Sequence, residues 1–297
     1  PLRSRCRMSL ASFYLSHRKA LSFELFPPKT PAGDAALLAN LRELSRFRPD
    51  FVTCTYGAGG STRGKTLDVC RMVKREFGLP VASHLTVVGS TVDELRAYLD
   101  EAIEAGIDHL VALRGDPPAG SGKFEPVPGG LSYADQLVSL VREQGLPLGI
   151  AVAGYPEVHQ EAPDAATDLR NLKRKVDAGA DIVLTQLFYD NDDYFRFVDA
   201  CEREGITVPI VPGILPIVDL AQVQRITSLC RAKLPQRLLD RLGEHATPEW
   251  QQQVGIEHAT EQVRDLLERD APGIHFYVLN KSQATSKVLE AVDWHGS

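Results

Sequence analysis

The sequence predicts a single α/β domain folded as a (β/α)8 barrel, and three observations carry that prediction. Short aliphatic or β-branched runs alternate along the whole chain with longer amphipathic segments, the pattern of parallel βα units. Eight such units fit into 297 residues with no internal linker, which suits a closed parallel barrel. No G-x-G-x-x-G turn follows the first predicted strand. That weakens the runner-up, an open doubly wound sheet.

The elements follow in order. Residues 1–20 read as an N-terminal lead-in, partly disordered, and residues 21–297 as the barrel domain. The first strand is residues 21–26, stopped by Pro27-Pro28, and a helical pattern runs from 34 to 47. Strand two is 51–55, followed by a loop over 56–62 and a helix through about residue 77. Strand three is 81–86, after which Thr91 caps a helix reaching 105, with Gly106 as its stop. Strand four, 109–114, ends in Arg114-Gly115-Asp116, and Pro117-Pro118 forbids its continuation. A Gly/Pro-rich excursion over 117–130 precedes a helix at 133–143, strand five at 148–153 and a helix at 163–178. Strand six is 181–187, its helix 193–204, and strand seven 208–211. A long helical region, 219–269, is broken at Pro235 and Pro248; strand eight is 274–279, and a helix at 283–292 closes the domain.

Composition bounds the function. Hydrophobic residues make up 43% and charged residues 24%, the balance of a soluble globular protein. A net charge of −6 argues against nucleic acid or an anionic membrane as partner, and no apolar run approaches the ~20 residues of a membrane span. Residues 1–17 are basic but lack the apolar core and cleavage site of a signal peptide. The five cysteines, Cys6, Cys54, Cys70, Cys201 and Cys230, form no CxxC pair, and there is no HExxH. A reduced, cytoplasmic protein with structural thiols and no metal site is expected.

A parallel barrel presents its ligands with the carboxyl ends of its strands. Under that reading the polar residues of interest are Glu24, Thr55-Tyr56, His84 with Thr86, Arg114 with Asp116, Tyr155 with His159, Gln186, and Tyr277 with Lys281. A carboxylate within the apolar run 21–26 requires a reason. Burial favours the neutral form of a carboxyl group, which is what a general acid near neutral pH needs. Each residue also has a structural reading: a buried ion pair for Glu24, a turn for Asp116-Pro117, hydrogen-bonded structural imidazoles for His84 and His159. Their convergence on one rim favours a site. The loop Gly57–Thr62 matches neither the Walker pattern nor the dinucleotide fingerprint and reads as a flexible loop. The basic run Arg170, Lys173, Arg174, Lys175 is either a solvated helix face or a cradle for phosphates, and spacing leaves both open.

Several ordered motifs resemble one family. They are Ser22-Phe23-Glu24-Leu25-Phe26-Pro27-Pro28-Lys29, Thr53-Cys54-Thr55-Tyr56-Gly57-Ala58, His84-Leu85-Thr86 and Ala112-Leu113-Arg114-Gly115-Asp116. They continue with Ala153-Gly154-Tyr155-Pro156-Glu157-Val158-His159, the stretch from Asn171 to Ala180, Thr185-Gln186-Leu187-Phe188, Pro212-Gly213-Ile214-Leu215-Pro216 and the stretch from His275 to Lys281. Together they resemble the bacterial 5,10-methylenetetrahydrofolate reductases over nearly the whole chain.

The resemblance implies a (β/α)8 flavoprotein that carries FAD without a Rossmann domain. It implies a ping-pong reaction in which NADH or NADPH reduces FAD and the flavin then reduces methylenetetrahydrofolate to 5-methyltetrahydrofolate, for methionine synthesis. On that reading Glu24 matches the general acid, and Asp116 the carboxylate beside the flavin pyrimidine and the folate pterin. Thr55, His84, Arg114, Gly115, Asp116, Tyr133, Ala134, Ala153, Tyr155, His159, Asp168, Asn171, Arg174 and Lys175 fall on FAD-contact positions. Gln186, Gln222, Tyr277 and Lys281, with Glu24 and Asp116, fall on substrate positions. Ile226 stands where some members place a substrate-stacking phenylalanine. The S-adenosylmethionine-binding domain of the longer animal enzymes has no counterpart here, so inhibition through it is expected to be absent. A homo-oligomer is expected. The competing readings are a flavin-free (β/α)8 lyase or hydrolase using Glu24 and Asp116, and a noncatalytic folate-binding barrel.

Overall fold

A computed structural model describes residues 9–15, 18–56, 63–116 and 124–294. The strands are β1 (Ala20–Leu25), β2 (Phe51–Cys54), β3 (Val81–Thr86), β4 (His109–Leu113), β5 (Gly149–Gly154), β6 (Ile182–Thr185), β7 (Ile210–Val211), β8 (Gly213–Ile214) and β9 (Gly273–Tyr277). They pair in the order β7-β6-β5-β4-β3-β2-β1-β9-β8, every named pair parallel. Between them lie α1 (Pro31–Ser45), α2 (Arg63–Phe77), α3 (Val92–Glu104), α4 (Ala134–Glu143), α5 (Ala165–Asp177) and α6 (Asn191–Arg203). The last quarter holds α7 (Leu220–Cys230), α8 (Gln236–Gly243), α9 (Pro248–Glu268) and α10 (Gln283–Ala291). The predicted barrel is the observed one. No described helix is long and apolar enough to cross a membrane.

The predicted seventh strand, 208–211, is corrected in one respect. Proline has no N–H to donate to a ladder, and at Pro212 the strand changes partner. β7 pairs with β6, whereas β8 pairs with β9, so the two halves of one broken strand close the barrel. Gly213 permits the close approach this requires: a Cβ there would lie 2.4 Å from Thr185 O and 2.6 Å from the Tyr277 ring. In the space left, Gly213 N donates to Thr185 Oγ1 at 2.9 Å and the Tyr277 hydroxyl donates to Thr185 O at 2.6 Å. The long helical region splits at its two prolines, with Pro235 preceding α8 and Pro248 opening α9. Thr91 caps α3 in a capping box with Glu94, as its position predicts.

Successive residues of each strand point to opposite faces, and the two faces carry different chemistry. Leu21, Phe23 and Leu25 of β1, Ile150 and Val152 of β5, and Ile274 and Phe276 of β9 join the helices in the main core. Ala20, Phe51, Ala82, Val111, Ala151, Ile182 and Val211 belong to a separate inner cluster. By the same alternation Ser22 and Glu24 share the inner face with Ala20, as His84 does with Ala82.

A short 3-10 helix, Leu10–Tyr14, joins that inner cluster through buried Leu10 and Tyr14. The sequence reading placed no element here. Phe13 stacks on Phe51 at 5.5 Å and meets the His109 ring edge-on at 5.8 Å. Ser9, which caps the helix, donates to Asp181 Oδ1 at 2.9 Å; Asp181 Oδ2 also accepts from Ile150 N at 2.6 Å and Arg142 Nη2 at 3.1 Å. Phe51 and His109 are the first residues of their strands. The helix therefore seals the amino end of the barrel, leaving the carboxyl end to hold ligands. Burial pushes His109 down to about 4, so it sits there as a neutral ring. Leu10 is fully buried. Leu10→Ala is expected to destabilise the protein by about 2–5 kcal/mol, read from the denaturant midpoint; an unchanged midpoint would contradict the sealing role.

Candidate active site

Glu24 lies one residue before the end of β1, in register with Thr53 of β2 and Tyr277 of β9. Only 8% of the residue is exposed. Its Oε2 sits 3.4 Å from His84 Nε2 and 3.9 Å from His275 Nε2. Neither nitrogen has a hydrogen-bond partner among the described residues, so the three groups are close without being bonded. Burial outweighs the pull of Glu24 and holds the His84 ring below the usual imidazole range. Burial also pushes the Cys54 thiol and the Tyr277 phenol up. His84, Cys54 and Tyr277 thus stand beside the carboxyl group as neutral groups near pH 7.

A cavity of about 660 Å³ opens beside the ends of β4 and β5. Its wall contains Arg114, Tyr133, Ala134, Ala153, Tyr155, His159, Asp168, Asn171, Arg174 and Lys175. All ten were singled out from the sequence, so that part of the set is one physical surface. Strand ends supply Arg114, Ala153 and Tyr155; α5 supplies Asp168, Asn171, Arg174 and Lys175. Those four recur at three- and four-residue spacing, which places them on one face of the helix.

The cavity is polar in a specific way. Lys175 is half-buried and its ammonium donates to Ala153 O, with the Tyr155 ring 6.0 Å away. Desolvation pushes Lys175 down to about 8. Arg174 lies over the Tyr133 ring at 5.4 Å and 3.4 Å from Asp135. Arg114 makes a bidentate pair with Glu161, at 2.5 and 2.7 Å, and lies over the Phe124 ring at 5.0 Å. Asp168 accepts from His159 N at 2.9 Å. Two arginines, a desolvated ammonium and three carboxylates, with two tyrosines and several alanines, suit an elongated ligand that carries both an aromatic ring and charged groups. FAD, with an isoalloxazine ring and a diphosphate, has that chemistry. The basic face of α5 is therefore divided: Arg174 and Lys175 line the cavity, whereas Lys173 pairs with Asp177 on the surface.

The remaining residues flank this cavity or lie apart from it. Thr55 follows β2, His84 is within β3, and Gly115 and Asp116 follow β4; the Asp116 carboxylate is exposed. Gln186 follows β6, half-buried, its Oε1 accepting from Leu187 N at 2.9 Å. A second cavity of about 260 Å³ is lined by Gln222, Tyr277 and Lys281, together with Asn40 and Gln252. Ile226 packs in the apolar cluster of α7 to α9 rather than against either cavity. The glycine-rich loop 57–62 and the two prolines after Asp116 lie outside the described residues, as do residues 1–8 with Cys6.

Sequence reasoning missed Phe124, Asp135 and Glu161 in the cavity wall, Thr53 beside Glu24, and Ser22 and His275 beneath it. Phe124 and Glu161, in loops, had no local signal, and Asp135 is an ordinary first-turn acidic residue of α4. The interior three did: two-residue alternation places Ser22 on the same face as Glu24, and His275 on the same face as Tyr277.

Fold and site define a class: a (β/α)8 barrel, sealed at its amino end, with a buried carboxyl group and, on its carboxyl rim, a cavity lined by two arginines, a lysine and three carboxylates. Residues 10–293 match the family described as methylenetetrahydrofolate reductase. The 5,10-methylenetetrahydrofolate reductase of Pectobacterium carotovorum is 39% identical over 98% of this chain and 95% of its own. That of Escherichia coli (strain K12) is 41% identical over 92% of this chain and 90% of its own. Methylenetetrahydrofolate reductase (NADH) 1 of Zea mays is 39% identical over 92% of this chain, which spans 48% of the maize protein. The chain belongs to the methylenetetrahydrofolate reductase family. The fold is shared more widely: a Clostridium thermocellum protein that binds two copies of 5-methyl-5,6,7,8-tetrahydrofolic acid superimposes with a TM-score of 0.61 at 13% identity, over 94% of this chain and 96% of that one.

Gly115 holds the rim in place between Arg114 and Asp116. Its φ is +86°, and a Cβ would lie 2.5 Å from Val88 Cγ1 and 2.9 Å from Thr86 Cβ. Gly115→Ala is expected to cost at least about 1–3 kcal/mol of stability, measured by denaturant unfolding. A neutral substitution would contradict this account of the turn.

Proposed function

We propose that this protein reduces 5,10-methylenetetrahydrofolate to 5-methyltetrahydrofolate, with NADH or NADPH as donor and FAD bound in the 660 Å³ cavity. The observation that carries the reading is the coincidence of family membership with a cavity walled by a half-buried, partly desolvated ammonium and two arginines. When bound, FAD supplies hydride chemistry, accepting from the nicotinamide and giving to the folate in alternation at one face.

The roles of the chain's own residues follow from charge and position. Arg174 and Lys175 hold the phosphates, and Lys175 gains most because a desolvated ammonium is stabilised by an anion. Ala134 and Ala153 leave room for the cofactor, against which Tyr133 and Tyr155 pack. Thr55, His84, Arg114, Gly115, His159, Asp168 and Asn171 complete its contacts. Asp116 places a negative charge beside the reacting rings, where it favours a cationic folate iminium. Glu24 donates its proton to N10 of the folate, opening the five-membered ring to that iminium. Gln186, Gln222, Tyr277 and Lys281 hold and orient the substrates. The net reaction consumes one hydride and one proton, and Glu24 is the group that delivers the proton.

Glu24→Gln is therefore expected to leave flavin reduction by NADH or NADPH nearly intact and to slow folate reduction by about 10²–10⁴-fold. Anaerobic stopped-flow spectroscopy measures the two steps separately, and equal losses in both would make Glu24 a structural residue. FAD affinity is expected to depend on pH through Lys175. Below its value of about 8 the ammonium is present in the cofactor-free protein, and an anion binds it directly. As pH rises through about 8 and beyond, the neutral amine must first take up a proton, so affinity falls. Fluorescence titration of flavin against pH tests this, and Lys175→Met should flatten the dependence. A wild-type profile with no fall above pH 8 would exclude Lys175 as an anion contact.

A further inference from the structure

Two fully buried polar side chains lie beneath Glu24 and have no part in the reading above. Ser22 and His275 face each other across the β1–β9 pairing, and both are 0% exposed. Ser22 Oγ is 2.8 Å from His275 Nδ1. The other ring nitrogen, Nε2, has no hydrogen-bond partner among the described residues and stands 3.9 Å from Glu24 Oε2. A buried imidazole nitrogen without a partner costs free energy that an apolar residue would avoid. The inner face just below, with Ala20 and Phe51, shows that the barrel accommodates apolar residues at this depth.

We propose that Ser22 and His275 form a positioning couple that sets Glu24 for proton donation. The inference rests on the acid role proposed above for Glu24. Ser22 donates its hydroxyl proton to Nδ1, which leaves the ring hydrogen on Nε2 and turns it toward Glu24 Oε2. When Glu24 gives its proton to the folate, a carboxylate is left in a buried site. The Nε2–H is then the donor that stabilises it, making Glu24 a stronger acid without placing a second charge beside it. The gap of 3.9 Å is one that closes when a site tightens around its ligands.

The other groups facing Glu24 leave this task to His275. His84 Nε2 is nearer, at 3.4 Å, whereas His275 has its opposite nitrogen held by Ser22 on the neighbouring strand. The Tyr277 hydroxyl is committed to Thr185 O. Burial keeps the Cys54 thiol and the His84 ring neutral. The groups facing His275 itself are Ser22, Glu24, His84 and the edge-on Tyr277 ring. None is a fixed cation.

The test uses the flavin-loaded protein and the two half-reactions. His275→Phe keeps the ring volume and removes both nitrogens. It is expected to slow folate reduction about 10- to 100-fold, the worth of a hydrogen bond to a charged group, while flavin reduction by nicotinamide is unchanged. The alkaline limb of the folate half-reaction profile is expected to move to higher pH. His275→Gln restores a donor near the Nε2 position and is expected to recover most of the rate. In histidine-labelled wild-type protein, nitrogen NMR is expected to report the Nε2–H tautomer for His275. Equal losses in both half-reactions, a Gln variant as slow as the Phe variant, an unmoved pH limb, or the Nδ1–H tautomer would each overturn the proposal. An intact folate half-reaction in Glu24→Gln would instead remove the parent reading, so the two failures are distinguishable.

Discussion

The structure depends on one constraint: every strand must give one side of its pleat to the helices and the other to a narrow closed interior. The outer side is satisfied by aliphatic packing. The inner side has little room for side chains and little access to water, so each polar group there needs a partner or a task. Glu24 meets that constraint at the carboxyl end, among neutral imidazole, thiol and phenol groups rather than against a cation. A carboxyl group paired with arginine would be locked as an anion.

The two ends of the barrel solve opposite problems. At the amino end the short helix Leu10–Tyr14, the Phe13–Phe51 stack and the Ser9–Asp181–Arg142 network close the interior. At the carboxyl end the described loops leave a cavity of mixed charge flanked by α5 and another beside α7 and α10. Closing one end makes the chemistry at the other directional, because ligands and water reach Glu24 from the rim alone. The broken strand at Pro212 belongs to the same arrangement. It brings Tyr277 against Thr185, between the second cavity and the β6 edge that leads to Gln186.

Much of this was legible in the sequence. The alternation of strand and helix, the stops at Pro27-Pro28 and Gly106, and the Thr91 cap are local signals, and local physics fixes them. Glu24 was legible because a carboxyl group interrupts an apolar run. Arg174 and Lys175 were legible only as a pair of alternatives, since a basic helix face looks the same whether it meets solvent or phosphate. Glu161 and Phe124 were not legible: each reaches the cavity from a loop whose path no periodicity determines. Ser22 and His275 were legible in principle, because two-residue alternation places them on the inner face, yet their meeting depends on β1 and β9 being neighbours in a closed barrel. The split at Pro212 was missed for a related reason. Proline predicts an interruption, but the change of partner follows from barrel closure.

The central claim is that the cavity beside α5 holds a flavin that carries hydride from a nicotinamide to a folate. The most direct measurement is to purify the protein, supply FAD, reduce it anaerobically with NADH or NADPH, and then add methylenetetrahydrofolate. The account predicts a yellow protein that bleaches with the nicotinamide and regains its colour with the folate as 5-methyltetrahydrofolate forms. A protein that neither retains nor takes up FAD, or a bleached flavin that the folate does not reoxidise, would contradict it.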